Sequence, residues 1–447
     1  LSAVRAAARQ TFRALEVRNF RLYFYGQVIS VSGTWMQTTA LAVLVVYPLH
    51  GNGLDLGFVT ALQFLPMLLF GTWGGLMADR MNKRTMLFVT QSTAMAIALV
   101  LGSLTLSGHI VLWQVYLLAL LLGFFNMFDN PLRQTFVSEM VGRDLLPNAI
   151  SLNSVLMNGA RVIGPAIGGL IFVALDDGFR PVALCFFINA ATYAAVICAL
   201  ALMRPAELHR TPLVVRARGQ LREGFRYVWS TPSIRDPLAA MAVVGIFAFN
   251  FTVTLPLLAK LTFHAGAGLF GAFTAAMGTG AVIGGLVVAH RNRPSPHLMA
   301  MIGLGFGAMI LAVALAPTEV VAIALLVPMG ACSIAFIATG NATLQLRSDP
   351  SKRGRVMALY AIAFLGSTPI GAPLVGAISS ATSPRVSLMA GGVATLLASI
   401  PLALRYRRNT PSVLSAAPGT GDRADRPPGV PVRDVPAPGL RQGGALP

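Results

Sequence analysis

The chain has 447 residues, 55% of them hydrophobic and only 11% charged, with a formal net charge of +18. A soluble domain carries about a quarter charged residues, so most of this chain meets a solvent that excludes charge. The basic excess raises nucleic acid as a partner, and the placement of the basic residues excludes it.

Uncharged apolar stretches run from end to end, at 22–47, 56–78, 85–107, 112–135, 148–174, 182–203, 238–262, 267–289, 298–316, 319–345, 356–381 and 385–404. Each is about twenty residues or longer, enough for a helix to cross a hydrocarbon core. Helices are expected because lipid offers backbone amides no partner, and the stretches are too long for barrel strands. Arg5, Arg9, Arg13 and Arg18 precede the first stretch without an apolar run, so no cleavable signal peptide is expected. Cys185, Cys198 and Cys332 all fall in apolar stretches and read as small buried hydrophobes.

With alternate connections assigned to the cytosol, thirty of the 34 lysines and arginines fall on the cytosolic side. Arg180, Lys260 and Arg385 lie outside, and Arg161 lies within a span. This asymmetry is the positive-inside rule and implies a multi-pass protein of the cell membrane with both termini cytosolic. A nucleic-acid surface has no reason to skip every second loop.

The turn between the second and third spans reads Gly75-Leu76-Met77-Ala78-Asp79-Arg80-Met81-Asn82-Lys83-Arg84. Gly75 lets a neighbouring helix come close, and Asp79 suits a helix N-terminus as acceptor. The turn resembles the signature of the major facilitator superfamily, G-x-L-a-D-R-x-G-R-R, with Met77 for the Leu and Asn82 for the second Gly. Asn also tolerates the left-handed turn that Gly supplies. The resemblance covers about residues 16–405. It implies an all-α membrane fold of twelve helices in two pseudo-symmetric six-helix bundles. It also implies a conformational latch made of Gly75, Asp79, Arg80, Lys83 and Arg84. The matching stretch of the second half has Ala289, His290 and Arg291 after Gly284-Gly285-Leu286, so the latch is expected on one side only.

Further along, Asp129 lies in the fourth span and Arg161 near the middle of the fifth. Charge at bilayer depth is rare and usually paired. Adjacent antiparallel spans put the two within plausible reach, and a role in coupling is the expectation. Apart from Asp129, no acid lies well inside a span, and Ser32–Thr39 of span one holds none where many proton-coupled exporters place one. The fifth span also carries Gly164, Pro165, Gly168 and Gly169, similar to a G-x-x-x-G-P-x-x-G-G motif of exporters, with Ala160 for the first Gly. Such a helix is bent by its proline and packs closely through its small residues.

In folds of this family the cavity is lined mainly by spans one, four, seven and ten. The expected liners are Trp35, Gln37, Asn126, Asn250, Phe251, Thr254, Asn341 and Gln345. They describe a large, mostly apolar pocket with few hydrogen-bonding groups, suited to an amphipathic solute.

The central stretch 204–237 separates the halves. Within it Leu221, Phe225, Val228 and Trp229 recur at helical spacing, as in a short amphipathic helix on the cytosolic membrane surface. The halves echo each other at an offset of about 210 residues: Asn130–Gln134 with Asn341–Gln345, Gly164–Gly168 with Ala372–Gly376, and Gly74–Leu76 with Gly284–Leu286. The expected organisation is a cytosolic N-terminal segment 1–21, bundles 22–203 and 238–404, the central loop 204–237, and a disordered cytosolic tail 405–447.

The lysines Lys83, Lys260 and Lys352 follow Asn82, Ala259 and Ser351, so no phosphate loop ends in Gly-Lys and ATP drive is excluded. The six histidines are scattered and form no H-E-x-x-H, so neither an enzyme nor a metal or other cofactor is expected. The closest resemblance is to the twelve-helix exporter group containing enterobactin exporters and multidrug pumps, carried by Gly33–Gln37, Phe64–Pro66 and Asn148–Leu152. It implies efflux of a drug or secondary metabolite by alternating access and proton antiport, by a monomer whose partners are the solute, the bilayer and protons. Export of a siderophore and flipping of a lipid are the alternatives of the same fold. A structural or signalling membrane protein is the alternative of another class.

Overall fold

The computed structural model describes residues 12–175, 178–209, 220–291, 294–350 and 352–406; the side chains of 72–80, 143, 220–224, 289–291 and 365 lie outside that description. Twelve helices long and apolar enough to cross a membrane follow one another. They are α1 Arg18–Val46, α2 Gly53–Arg80, α3 Lys83–Leu106, α4 Leu112–Gly142, α5 Asp144–Leu175, α6 Phe179–Leu202, α7 Pro232–Thr262, α8 Ala267–Arg291, α9 Pro296–Ala314, α10 Glu319–Arg347, α11 Arg353–Ala381 and α12 Pro384–Tyr406. Among the described residues there is no strand.

The ends are set by local chemistry. Asn52 and Asp55 form a reciprocal capping box on α2, and Asn82, Ser295 and Thr318 cap α3, α9 and α10 by accepting backbone N–H bonds. One boundary departs from expectation. The stretch 136–147 reads as a connection, yet α4 runs on to Gly142 and α5 restarts at Asp144. Only Gly142, at φ +71°, interrupts the helical path. The extension is held because Phe136, Val137, Met140 and Val141 are buried against Phe20 and Tyr23 of α1. Pro147 falls in the opening turn of α5, where few ladder bonds exist to be lost.

The packing repeats at a spacing of six helices. In the first half α1 lies on α6, α3 on α6 and α2 on α4; in the second α7 lies on α12, α9 on α12 and α8 on α10. The halves meet along two seams, α2 with α11 and α5 with α8. Both seams are backbone against backbone. A Cβ at Gly376 of α11 would stand 2.1 Å from the carbonyl oxygen of Gly53 of α2. One at Gly271 of α8 would stand 2.4 Å from the Cα of Gly169 of α5. Lipid provides no hydrophobic drive between helices, so such close approach is what holds them together.

Two helices are interrupted. Helix α7 leaves the helical ladder at Ala248–Asn250 and ends in a π-turn over Leu258–Thr262. Helix α11 carries a π-turn at Ala361–Leu365. The interruptions lie against each other: Asn250 stands beside Gly371, and Ser367 against Gly245.

The amphipathic segment of the central stretch is a helix, Gln220–Ser230. Val228 is buried, while Phe225 and Trp229 are 57% and 64% exposed with rings stacked at 5.7 Å. Tyr227 anchors it: its hydroxyl accepts from the Asp349 amide at 3.1 Å, and Lys352 stands 4.7 Å from its ring. Residues 210–219 of the same stretch, and the tail beyond 406, lie outside the described residues.

Gly271→Val is expected to destabilise the protein by about 1–3 kcal/mol through overpacking at the seam, read as a lowered thermal midpoint of the purified protein in detergent. Gly285→Val, whose new Cβ would meet only Ile334 at 3.7 Å, is expected to melt with the parent.

Candidate functional site

Asp129 and Arg133 lie one turn apart on α4, a spacing that puts both side chains on one helix face. They form an ion pair. Asp129 is 7% exposed, and its Oδ1 also accepts from Thr90 Oγ1 and Gln91 Nε2 of α3, both at 2.8 Å. Arg133 in turn donates to Gln27 Oε1 of α1. One carboxylate and one guanidinium thus tie three helices together.

This corrects the expected pairing of Asp129 with Arg161. The same-helix neighbour wins, because i,i+4 geometry brings the charges together without any reach between helices. Arg161 of α5 instead stands with its guanidinium 4.9 Å from the ring of Trp35. Its Nε is buried without a hydrogen-bond partner. A cation at bilayer depth costs about 2.5–3.5 kcal/mol on insertion scales, and a cation–π contact returns about 0.5–2 kcal/mol. Arg133 escapes a sequence reading because it falls by the end of the apolar stretch, where it counts as a loop residue.

The basic pair of the 2–3 turn is fastened within the first half. Buried Lys83 pairs with Glu139 near the end of α4. Arg84 donates from Nε to Leu200 O at 2.8 Å and from Nη2 to Ala201 O at 3.3 Å, closing the last turn of α6. Glu139 is a further residue that sequence reasoning misses, because α4 is longer than its apolar stretch. The rest of the expected latch, the side chains of Gly75, Asp79 and Arg80, lies outside the described residues.

The helix-five motif makes two different contacts. A Cβ at Gly164 would stand 2.4 Å from Ser32 O of α1, whereas Gly169 meets Gly271 of α8. At Gly168 the nearest atom, Met36 Cγ, would be at an ordinary 3.4 Å. Pro165 is buried between them, beside the α8 backbone at Gly271.

A cavity of about 400 Å³ opens beside the charged cluster. Thr34, Trp35, Asn126, Asp129 and Arg133 line it from the first half, and Phe249, Thr252 and Thr368 from the second. Of the expected liners, Trp35 and Asn126 face it. Gln37 is buried instead and accepts from Asn189 Nδ2 at 2.6 Å. Asn250, Phe251 and Thr254 are buried within the second half, because the break in α7 turns Phe249 and Thr252 inward in their place. Asn341 and Gln345 bond to each other on α10, which contributes no lining residue. Behind Phe249 stands an aromatic core: Phe364, Phe306 and Phe251 have ring centroids 5.0, 5.3 and 5.8 Å from it. The first half supplies the charged, hydrogen-bonding groups of the lining and also the rings of Trp35, Phe64, Phe125 and Tyr193, while the second adds Phe249 and two threonines. Among the described residues no three His, Cys, Asp or Glu side chains converge as metal ligands.

A family profile described as transmembrane secretion effector matches residues 9–419. The enterobactin exporter EntS of Escherichia coli K12 is 26% identical over 418 residues, covering 89% of this chain and 95% of that protein. The staphyloferrin A transporter of Staphylococcus aureus is 26% identical over 271 residues, 60% of this chain and 66% of that one. The match to the uncharacterized MFS-type transporter YfiS of Bacillus subtilis spans about half of either chain, at 27% identity. Among solved structures, a bacterial homolog of the human lysosomal transporter Spinster, inward-facing and unoccupied, superposes with a TM-score of 0.68 at 14% identity, covering 87% of this chain and 97% of that one. The nucleoside transporter NupG gives 0.64 at 12% identity, covering 88% and 99%. These likenesses show the fold.

Asp129→Asn and Arg133→Gln are each expected to cost about 3–5 kcal/mol, because each strands a charge or an unmatched donor in a dry site. The double substitution is expected to recover part of the loss in a denaturation cycle. Strictly additive losses would show that the pair is not coupled.

Proposed function

This chain belongs to the transmembrane secretion effector family of major facilitator transporters, and on that premise we propose that it exports an amphipathic small molecule by alternating access. The observation that carries the reading is the mixed lining of the cavity, in which Asp129 and Arg133 stand among apolar and aromatic side chains such as Phe64, Phe125 and Phe249. A solute with one polar end and one apolar body meets partners for both there.

The molecule is closed on one side, a state that an exporter passes through when it loads from the cytosol. The seam glycines Gly53, Gly376, Gly169 and Gly271 lie toward the ends of helices joined by the poorly basic connections. On the same side Lys260 donates to Val46 O, Tyr47 Oη donates to Ala265 O at 3.0 Å, and the Leu54 amide donates to Ser380 Oγ at 3.2 Å. Each of these contacts links the two halves. Under the positive-inside rule that side is the outside, both termini are cytosolic, and the solute is loaded from the cytosol. Rocking of the halves about the seams then exchanges the open face.

In this reading the exchange is driven by protons. Asp129 is the carboxylate that lies well inside a helix and beside the cavity, and its protonation frees Arg133 and the α3 donors that now hold it. A siderophore is the second reading, favoured by the family's enterobactin and staphyloferrin A relatives.

Everted vesicles with an acid lumen are expected to concentrate amphipathic solutes about tenfold per pH unit, the limit for one proton exchanged per solute. Asp129→Asn is expected to lose that response. Flux indifferent to the gradient removes the proton step, and absence of flux across the panel removes the transport reading. Deleting the gene from its host separates the solutes: hypersusceptibility to lipophilic drugs favours the first reading, loss of secreted siderophore the second. For the topology, single cysteines at Asn82 and Arg180, in a chain cleared of its three native ones, are expected to label from opposite faces. Labelling from the same face overturns the arrangement.

A further inference from the structure

The first half holds more positive charge at depth than it neutralises. Asp129 has three donors of its own in Thr90, Gln91 and Arg133. Lys83 and Glu139 neutralise each other near the cytosolic end of α4. Arg161 is left with no ion pair and no hydrogen bond to its guanidinium among the described residues, and only the face of Trp35 beside it. A guanidinium carries five N–H donors in a fork that fits a carboxylate bidentately. Trp35 lines the cavity, and so does Met157, one turn before Arg161 on α5, while Arg161 itself is not a lining residue. The backbone of Arg161 is also where α8 comes close: a Cβ at Gly278 would stand 3.2 Å from Arg161 O.

We propose that Arg161, whose guanidinium stands over the ring of the cavity-lining Trp35, is the subsite for an anionic group of the exported solute, a carboxylate carried on an apolar or aromatic body that reaches it past Trp35. The proposal rests on the export reading for its biological sense, while the binding site itself is read from the cavity and the unmatched charge. An oxyanion entering there supplies what Asp129 cannot, a counter-charge and acceptors for the free donors, in a medium where both are strong. The body of such a solute lies toward Phe249, across the cavity. A volume of about 400 Å³ admits a substituted aromatic acid. Amphipathic cations meet repulsion at the same point.

Trp35 gives a direct readout. The full chain, reconstituted in nanodiscs with Trp73, Trp113 and Trp229 replaced by Phe, is titrated with three probes of one shape. They are para-tert-butylbenzoate, para-tert-butylbenzamide and para-tert-butylbenzylammonium. The carboxylate is expected to bind about tenfold more tightly than the amide, with the ammonium weakest, as for one charge-assisted bidentate contact. Arg161→Gln is expected to abolish the preference by raising the carboxylate's Kd about tenfold more than the amide's; Arg161→Lys, which keeps the charge but not the fork, retains part of it. Equal binding of carboxylate and amide by the parent overturns the proposal. So does a preference that survives Arg161→Gln. Where Arg161→Gln fails to assemble, the three-probe comparison in the parent and the Arg161→Lys response decide the matter. Flux of the same probes in proteoliposomes separates the two readings. Anion preference without flux of any probe sinks export and leaves the site, whereas flux without preference sinks the site and leaves export.

Discussion

Hydrocarbon offers neither water to a backbone amide nor a counter-ion to a charge, and each feature of this protein answers one of those refusals. Backbone groups are satisfied within twelve helices, and the break in α7 has Ala248 and Asn250 buried against other protein. Charges are gathered into small closed groups, Asp129 with Arg133 and Lys83 with Glu139, each adding hydrogen bonds to Coulomb attraction. Helix association depends on shape instead of water expulsion, so glycines stand where the two halves touch.

The sequence pattern is enough to read the number and order of the helices, because length and hydropathy are properties of the chain itself. The close packing of the fifth-helix glycines Gly164 and Gly169 is legible for the same reason, their motif being contiguous. What stayed hidden depends on rotation and extent. Glu139 lies beyond the fourth stretch and Arg133 only two residues inside its end, so both read as part of a connection that the longer α4 replaces. Gln37, Asn250 and Thr254 lie in the right helices but on the wrong faces, a choice made by packing and by the break in α7. The amide pair Asn341–Gln345 satisfies itself and leaves the cavity without a contribution from α10. Polar residues in apolar spans thus mark helices that need a partner more reliably than they mark a ligand site.

The two halves share a packing scheme but not a chemistry. The first concentrates the deep charges, and the second answers with the rings around Phe249. A duplicated frame whose copies diverge in this way brings unlike surfaces together at one interface. On the export reading, the charged groups of the first half and the ring of Phe249 would suit a molecule with one polar end and one apolar body.

The seams carry one more implication. Where Gly169 faces Gly271 and Gly53 faces Gly376, there are no rotamers to reset when the surfaces part and none to select when they rejoin. A joint of bare backbone behaves as a dry bearing: it loses dispersion contact on opening but orders almost nothing on closing. The barrier to swinging one half against the other would then be set by the clasps at its rim, such as Lys260 on Val46, and little by the long faces of the joint itself.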